Sequence, residues 1–169
     1  MEDESRFGLL PITRRRITAR GIKPVQSVHL IFESYYLYGA VEPITGEGFF
    51  VEMPCLDSDC FEVFLREISR CYSDRFIIMV LDNGGIHKAR RLVVPDNIAL
   101  LFLPSYSPEL NPMERLWQDI KEKISFSSYE KLEGLKGRVA EILRQYTRTA
   151  IASLTGYSYL IKALNALST

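Results

Sequence analysis

The chain has 169 residues, 47% hydrophobic and 25% charged, which fits one domain with a real core and is ordinary for a water-soluble globular protein. Its 21 basic and 21 acidic side chains cancel, which weighs against nucleic-acid binding driven by bulk charge. No apolar run approaches the roughly 20 residues of a membrane span, and the acidic opening MEDESRF is unlike a secretory leader, so no membrane partner and a cytoplasmic location are expected.

From the N-terminus, Glu2-Asp3-Glu4 taken alone is a solvated terminal charge cluster. Basic residues follow at Arg14, Arg15, Arg16, Arg20 and Lys23, then acidic ones dominate from Phe32 to Asp74, nine against Arg66 and Arg70, so one face can be basic and another acidic. Gln26 to Met53 reads as antiparallel strands joined by hairpins: Val28, Leu30 and Phe32 alternate, Tyr36-Leu37-Tyr38 follow, and Ile44 to Gly48 supplies a turn before Phe49-Phe50-Val51. Cys55, Cys60 and Cys71 are odd in number, with no paired Cys-x-x-Cys and no nearby histidine pattern, and read as reduced thiols rather than a zinc site. Asp57 to Ser73 reads as a helix, capped by Asp57 or Ser58, with Phe61, Phe64, Leu65 and Ile68 on its apolar face.

The unbroken apolar run Phe76 to Leu81 predicts a strand buried on both faces, as in parallel sheets, whose ligands gather at the carboxyl ends of the strands. Asp82 stands at that end. A short helix over Gly85 to Leu92, a strand over Ile98 to Leu103 and a Pro-rich connection over Pro104 to Pro112 come next. Asn111 suits an N-cap and Pro112 a first helical position, and Met113, Leu116, Trp117, Ile120 and Ile124 form a core stripe. Helices over about Tyr129 to Tyr146 and Arg148 to Leu167 finish a single domain spanning residues 1–169. Three antiparallel strands, then helix, strand, helix, strand, helix is the element order of the ribonuclease H-like fold, an α/β mixed sheet flanked by helices.

Magnesium prefers hard oxygen donors, and two such ions about 4 Å apart suit phosphoryl chemistry, so clustered carboxylates are the feature to seek. Asp82 is a metal ligand or a turn residue before Asn83-Gly84-Gly85. Glu114 is a ligand or the N3 glutamate of a capping box with Asn111. Asn83 holds a metal-bound water or shapes the turn. His87 meets substrate phosphate or orients a water, or is a helix-surface residue, and His29 is structural. Arg14, Arg15 and Arg16 grip a DNA backbone or lie in a solvated loop, and Lys121 shares a flank with Glu114, where it can steer phosphate.

Asp82-Asn83-x-x-x-His87-Lys88 and Leu103-Pro104-x-Tyr106-Ser107-Pro108-Glu109-Leu110-Asn111-Pro112-x-Glu114-x-x-Trp117 closely resemble the signature of the IS630-type transposases, a branch of the Tc1/mariner-like DDE superfamily. Asp3-Glu4-Ser5-x-Phe7-Gly8, Arg16-x-x-x-Arg20-Gly21-x-x-Pro24 and Tyr38-Gly39-Ala40 resemble its N-terminal half, so the resemblance runs from Asp3 to about Ile124. It implies a transposase catalytic domain in which Asp3, Asp82 and Glu114 bind Mg²⁺ or Mn²⁺, as two ions. It also implies cleavage of DNA at element ends and joining of the freed 3′ hydroxyl to target DNA. Asn83 and His87 support that site; Arg14, Arg15, Arg16, Lys88 and Lys121 contact DNA. Partners are transposon ends, target DNA and a second copy of the chain on DNA, in a prokaryotic, nucleoid-associated setting. The chain departs from the family where it starts two residues before Asp3 without a helix-turn-helix region, so a first strand cut short and liable to fray is expected. A second reading follows from that departure: an inactive or split-gene remnant completed by an upstream polypeptide.

Overall fold

A computed structural model of the chain describes residues 1–9, 20–21, 31–105, 107–125 and 127–167. Strands β1 (Glu2–Gly8), β2 (Ser34–Val41) and β3 (Gly48–Met53) form an antiparallel sheet in the order β1-β2-β3. After helix α1 (Ser58–Cys71), strand β4 (Ile77–Leu81) pairs in parallel with β5 (Ile98–Phe102), and β4 lies beside the free edge of β1. Helices α2 (Met113–Ile124), α3 (Leu132–Gln145), α4 (Arg148–Thr155) and α5 (Ser158–Leu167) follow. The element order expected of a ribonuclease H-like domain is therefore met.

Period-two alternation in β2 divides the core between the two faces of the antiparallel sheet. Tyr35, Leu37 and Val41 pack with Met113, Leu116, Trp117 and Ile120 of α2, whereas Tyr38 packs with Phe61, Phe64 and Leu65 of α1. The α1 face is the four-residue set read from the sequence, and Asp57 caps it by accepting from the Cys60 N–H at 2.8 Å. Gly39 is a close approach between sheet and helix: a Cβ there would stand 2.7 Å from the Trp117 ring, so a glycine lets α2 seat against β2.

Several expectations are corrected. β1 does not fray: all seven of its residues are paired with β2, and Met1 and Val41 exchange two backbone hydrogen bonds of 2.8 Å. β4 is buried on one face only. Met79 and Leu81 are inside, while Ile78 is 59% exposed and Leu101 of β5 55%, because α2 crosses β1 and β2 and leaves the outer face of the β4–β5 pair uncovered among the described residues. Phe32 is 75% exposed and outside any strand, and β2 begins at Ser34. The helix expected over Gly85 to Leu92 is a single 3₁₀ turn, Gly85–Lys88. The helix expected from Arg148 to Leu167 breaks at Gly156, where the Gly156 N–H closes on the Ala152 carbonyl at 2.7 Å. A Cβ at Gly156 would stand 3.2 Å from the Pro43 carbonyl, so the break falls where α4 meets the β2–β3 turn. Arg14, Arg15, Arg16 and His29 lie outside the described residues.

Candidate metal centre at the β1–β4 edge

Alternation along β1 sends Asp3 and its neighbours Glu2 and Glu4 to opposite faces. Asp3 faces α2 with Phe7, and its Oδ2 accepts a hydrogen bond of 3.0 Å from Trp117 Nε1. Burial pushes the Asp3 carboxyl up to about 7, and the negative charges of Glu114 and Glu4 push the same way. Helix α2 packs on β1 through Trp117 and carries Glu114 in its first turn. Glu114 is exposed in the first turn of α2, and among the described residues its carboxylate makes no capping-box bond to Asn111.

Asn111 anchors that turn instead. Its Oδ1 accepts from the Met113 N–H at 3.1 Å, and its Nδ2 donates to the Glu2 carbonyl at 2.9 Å, so one buried side chain both starts α2 and ties it to β1. The sequence reading placed Asn111 at the N-cap and Pro112 at the first helical position, whereas α2 begins at Met113 with Pro112 as its cap residue and Asn111 one position earlier.

Asp82 follows β4 directly, 59% exposed, and its Oδ1 accepts from the Gly84 N–H at 2.8 Å. A Cβ on Gly84 would sit 2.9 Å from that oxygen, so the glycine leaves the carboxylate room. The 3₁₀ turn then folds His87 inward. Its Nε2 lies 3.0 Å from Glu4 Oε1 and its Nδ1 3.0 Å from Asp82 Oδ1, the second an ion-pair contact not aimed as a hydrogen bond. Burial lowers the affinity of the ring for a proton, but Glu4 and Asp82 outweigh it and raise the His87 pKa above its ordinary value. With 3% of its surface exposed and both nitrogens facing carboxylates, His87 bridges Asp82 to β1. Glu2, fully buried beside it with no hydrogen bond to either carboxylate oxygen, is held well above the ordinary carboxylate range by burial and by the charge of Glu4.

Asn83 Nδ2 donates to Ser105 Oγ at 2.8 Å, which joins the end of β4 to the loop after β5 and leaves its own Oδ1 buried without a partner. Lys88 lies over the Phe102 ring at 5.1 Å and Lys121 over the Phe7 ring at 5.6 Å. Glu114 and Lys121 share an open groove of about 460 Å³ with Arg115, Trp117, Gln118 and Tyr157. Sequence reasoning missed Trp117 as a partner of Asp3 and Glu4 as a partner of His87. A period-two reading of Glu2 to Phe7 would have separated the Asp3 face from the Glu4 face.

Asp3 lies on the α2 side of β1 with Trp117, and Asp82 is linked through His87 to Glu4 on the other side of the same strand. The three expected ligands are not drawn into one tight cluster: among the described residues the sets with ligand atoms within 4.8 Å of one another are Glu2–Glu4–His87 and Cys55–Asp57–Cys60. Burial raises the Asp3 pKa, and the negative charges of Glu114 and Glu4 add to it. Asp3, Asp82 and Glu114 carry only carboxylate oxygens, and next to Asp82 in the chain the Asn83 oxygen is buried without a partner, donors of the hard class a divalent cation takes.

The family model for DDE superfamily endonucleases matches residues 1–136. An uncharacterized protein, y4pE/y4sA, of Sinorhizobium fredii is 42% identical over 88 residues, covering 52% of this chain and 65% of the relative. The insertion element IS630 uncharacterized 39 kDa protein of Shigella sonnei is 33% identical over 98 residues, covering 55% of this chain and 29% of the relative. Among solved structures, a Mos1 mariner paired-end complex with Mn superposes with a TM-score of 0.73 at 16% identity, covering 92% of this chain and 50% of that one. The Mos1 strand transfer complex gives 0.71 at 16% identity, covering 92% and 49%. The chain thus spans less than two thirds of each curated relative and about half of the Mos1 chains. By the match over residues 1–136, the chain belongs to the DDE superfamily endonucleases, and its likeness within them runs to IS630 and to mariner transposases.

Proposed function

We propose that this domain is the catalytic core of a cut-and-paste DNA transposase, with Asp3, Asp82 and Glu114 as the ligands of two Mg²⁺ or Mn²⁺ ions. The observation that carries the proposal is the match to the DDE superfamily endonucleases over residues 1–136, together with an Asp3 carboxylate held by Trp117 Nε1 at 3.0 Å beside the start of α2 and raised in pKa first by burial and then by the charge of Glu114. Divalent ions at such a site lower the pKa of a nucleophilic water and stabilise the leaving oxygen of the scissile phosphate.

The protein's own contribution is position. Trp117 aims Asp3, Asn111 sets the start of α2 and with it Glu114, and His87 holds Asp82 against β1 through Glu4. The open groove along α2 carries Glu114 at the site and Lys121 farther along the same helix, so a DNA backbone laid in it meets acid at the reacting phosphate and base beside it. Water serves as nucleophile in strand cleavage and the freed 3′ hydroxyl in strand transfer, both in line with the leaving oxygen. Lys88, and Arg14, Arg15 and Arg16 ahead of β2, add phosphate contacts. The Mos1 complexes hold transposon ends as paired ends, and two copies of this chain on DNA are the corresponding arrangement here. A helix-turn-helix for end recognition comes from outside these residues. In the alternative reading, an inactive or split-gene remnant completed by an upstream polypeptide, the same fold persists without nicking.

The test is binding and cleavage in parallel. Mn²⁺ bound to the chain is counted by electron paramagnetic resonance, and nicking of supercoiled DNA is followed with Mg²⁺ or Mn²⁺. Tight Mn²⁺ binding and nicking that both disappear in Asp3→Asn support the reading; nicking that survives without Asp3 refutes it.

A further inference from the structure

We propose that Cys55, Asp57 and Cys60, at the turn between β3 and α1, form a second metal site, for a thiophilic divalent cation of the Zn²⁺ class. Cys-x₄-Cys is not a spacing that announces zinc in a sequence, but the turn into α1 folds it back on itself. The Sγ atoms of Cys55 and Cys60 come to 3.5 Å, and one carboxylate oxygen of Asp57 lies with them, all three ligand atoms within 4.8 Å of one another. A tetrahedral zinc with bonds of about 2.3 Å to sulfur needs its thiolates about 3.8 Å apart, whereas a disulfide needs about 2.05 Å. The observed separation is close to the first and far from the second, and a third, oxygen donor has no part in a disulfide. Cys55 is exposed, so the fourth position opens to water.

The turn is held in this shape by residues that are not ligands. The Oη of the fully buried Tyr38 donates to the Cys55 carbonyl at 3.1 Å, with the Asp57 carbonyl at 3.5 Å, and the Asp57 side chain is fixed by the N–H of Cys60. Little ordering is therefore left for a cation to impose. Without one, hydrogen bonds to Asp57 and between the thiols keep the Cys55 thiol protonated, its pKa pushed up to about 12. Binding replaces those protons: each S–H bond breaks, the two protons leave to solvent, two S–metal bonds form, and nothing is oxidised or reduced.

The position gives the site a consequence for the catalytic edge. Cys60 directly precedes Phe61, whose ring centre lies 4.5 Å from that of His87, the residue that holds Asp82. A cation at the turn clamps the first turn of α1 against that imidazole.

Co²⁺ is the probe, added to the reduced full chain in excess Mg²⁺ so that the carboxylate edge is filled. The expected result is a thiolate-to-cobalt charge-transfer band that saturates at a single equivalent, is displaced by Zn²⁺ and raises the melting temperature. Cys55→Ser and Cys60→Ser should abolish the band. Asp57→Asn, which keeps a good N-cap and so keeps the helix, should weaken cobalt binding by about tenfold or more. Cys71→Ser should leave it unchanged, with circular dichroism confirming that every variant is folded. No charge-transfer band, a band that survives Cys60→Ser, or undiminished affinity in Asp57→Asn would overturn the site. So would a chain whose reduced thiols ignore cobalt yet close to a Cys55–Cys60 disulfide in air.

Discussion

Asp3→Asn separates charge from shape at the centre of the proposed site. Burial, with Glu114 and Glu4 beyond it, raises the Asp3 carboxyl from its ordinary 3.8 to about 7, so between those values the folded chain holds a proton that the unfolded chain has lost. The stability that comes with that proton is fully present below 3.8 and is lost as the pH rises through about 7. At 1.36 kcal/mol for each tenfold change, the upper limit is about 4 kcal/mol. Solvent reaches the site from the groove and Asp3 shares its repulsion with neighbours, so about 2 kcal/mol is the reasonable expectation. Asparagine does not titrate, and its side-chain oxygen still accepts from Trp117 Nε1. In EDTA the variant should match the wild type near pH 4, gain on it up to about pH 7, and then stay ahead by about 2 kcal/mol. Mg²⁺ at a hundred times its dissociation constant adds about 2.7 kcal/mol to a chain that binds it, so magnesium should reverse the order. Urea denaturation across pH, with and without Mg²⁺, reads both effects. Parallel curves for the two proteins at every pH would refute the electrostatic argument.

Further outcomes follow from the neighbouring contacts. His87→Gln leaves the Glu4 carboxylate buried without its cation and should cost about 3 kcal/mol in chemical denaturation. The wild type's advantage should be largest below the ordinary imidazole value of 6.5 and shrink as pH rises through the raised value of the folded state. Trp117→Phe keeps most of the ring and removes the donor to Asp3; calorimetric Mg²⁺ affinity should fall roughly tenfold or more, with about 2 kcal/mol of stability lost. DNA affinity of residues 1–169 alone should be weak and fall steeply with salt in fluorescence anisotropy, because zero net charge leaves few phosphate contacts.

Sequence patterns captured the parts of the molecule governed by local periodicity. The α1 face, the strand that ends at Asp82 and the α2 stripe all rest on spacings that a chain carries in itself. What escaped depends on partners far along the chain. The apolar run of β4 could not reveal that its outer face goes uncovered, since that depends on where α2 crosses. Nor could the word around Asn111 show that its amide reaches Glu2, 109 residues away, or the helix stripe that Trp117 turns its N–H to Asp3. His87 entered through the resemblance as a candidate for substrate contact; its inward turn follows from the 3₁₀ geometry after Gly84 and from two acidic residues waiting on β1. The Cys55–Cys60 approach needed the turn that Tyr38 fixes.

Glu114 tests the central claim most directly, because the carboxylate is exposed and carries no capping-box bond to Asn111, so its removal isolates metal binding from helix stability. DNA nicking and thermal melting should be measured together for Asp82→Asn and Glu114→Gln, in residues 1–169 and in a protein extended upstream of Met1. Both variants should melt no lower than the wild type in EDTA, lose the stabilisation that Mg²⁺ or Mn²⁺ gives, and cut no DNA above background. Nicking that persists in Asp82→Asn, or a Glu114→Gln protein that melts lower yet cuts normally, would contradict the three-carboxylate centre.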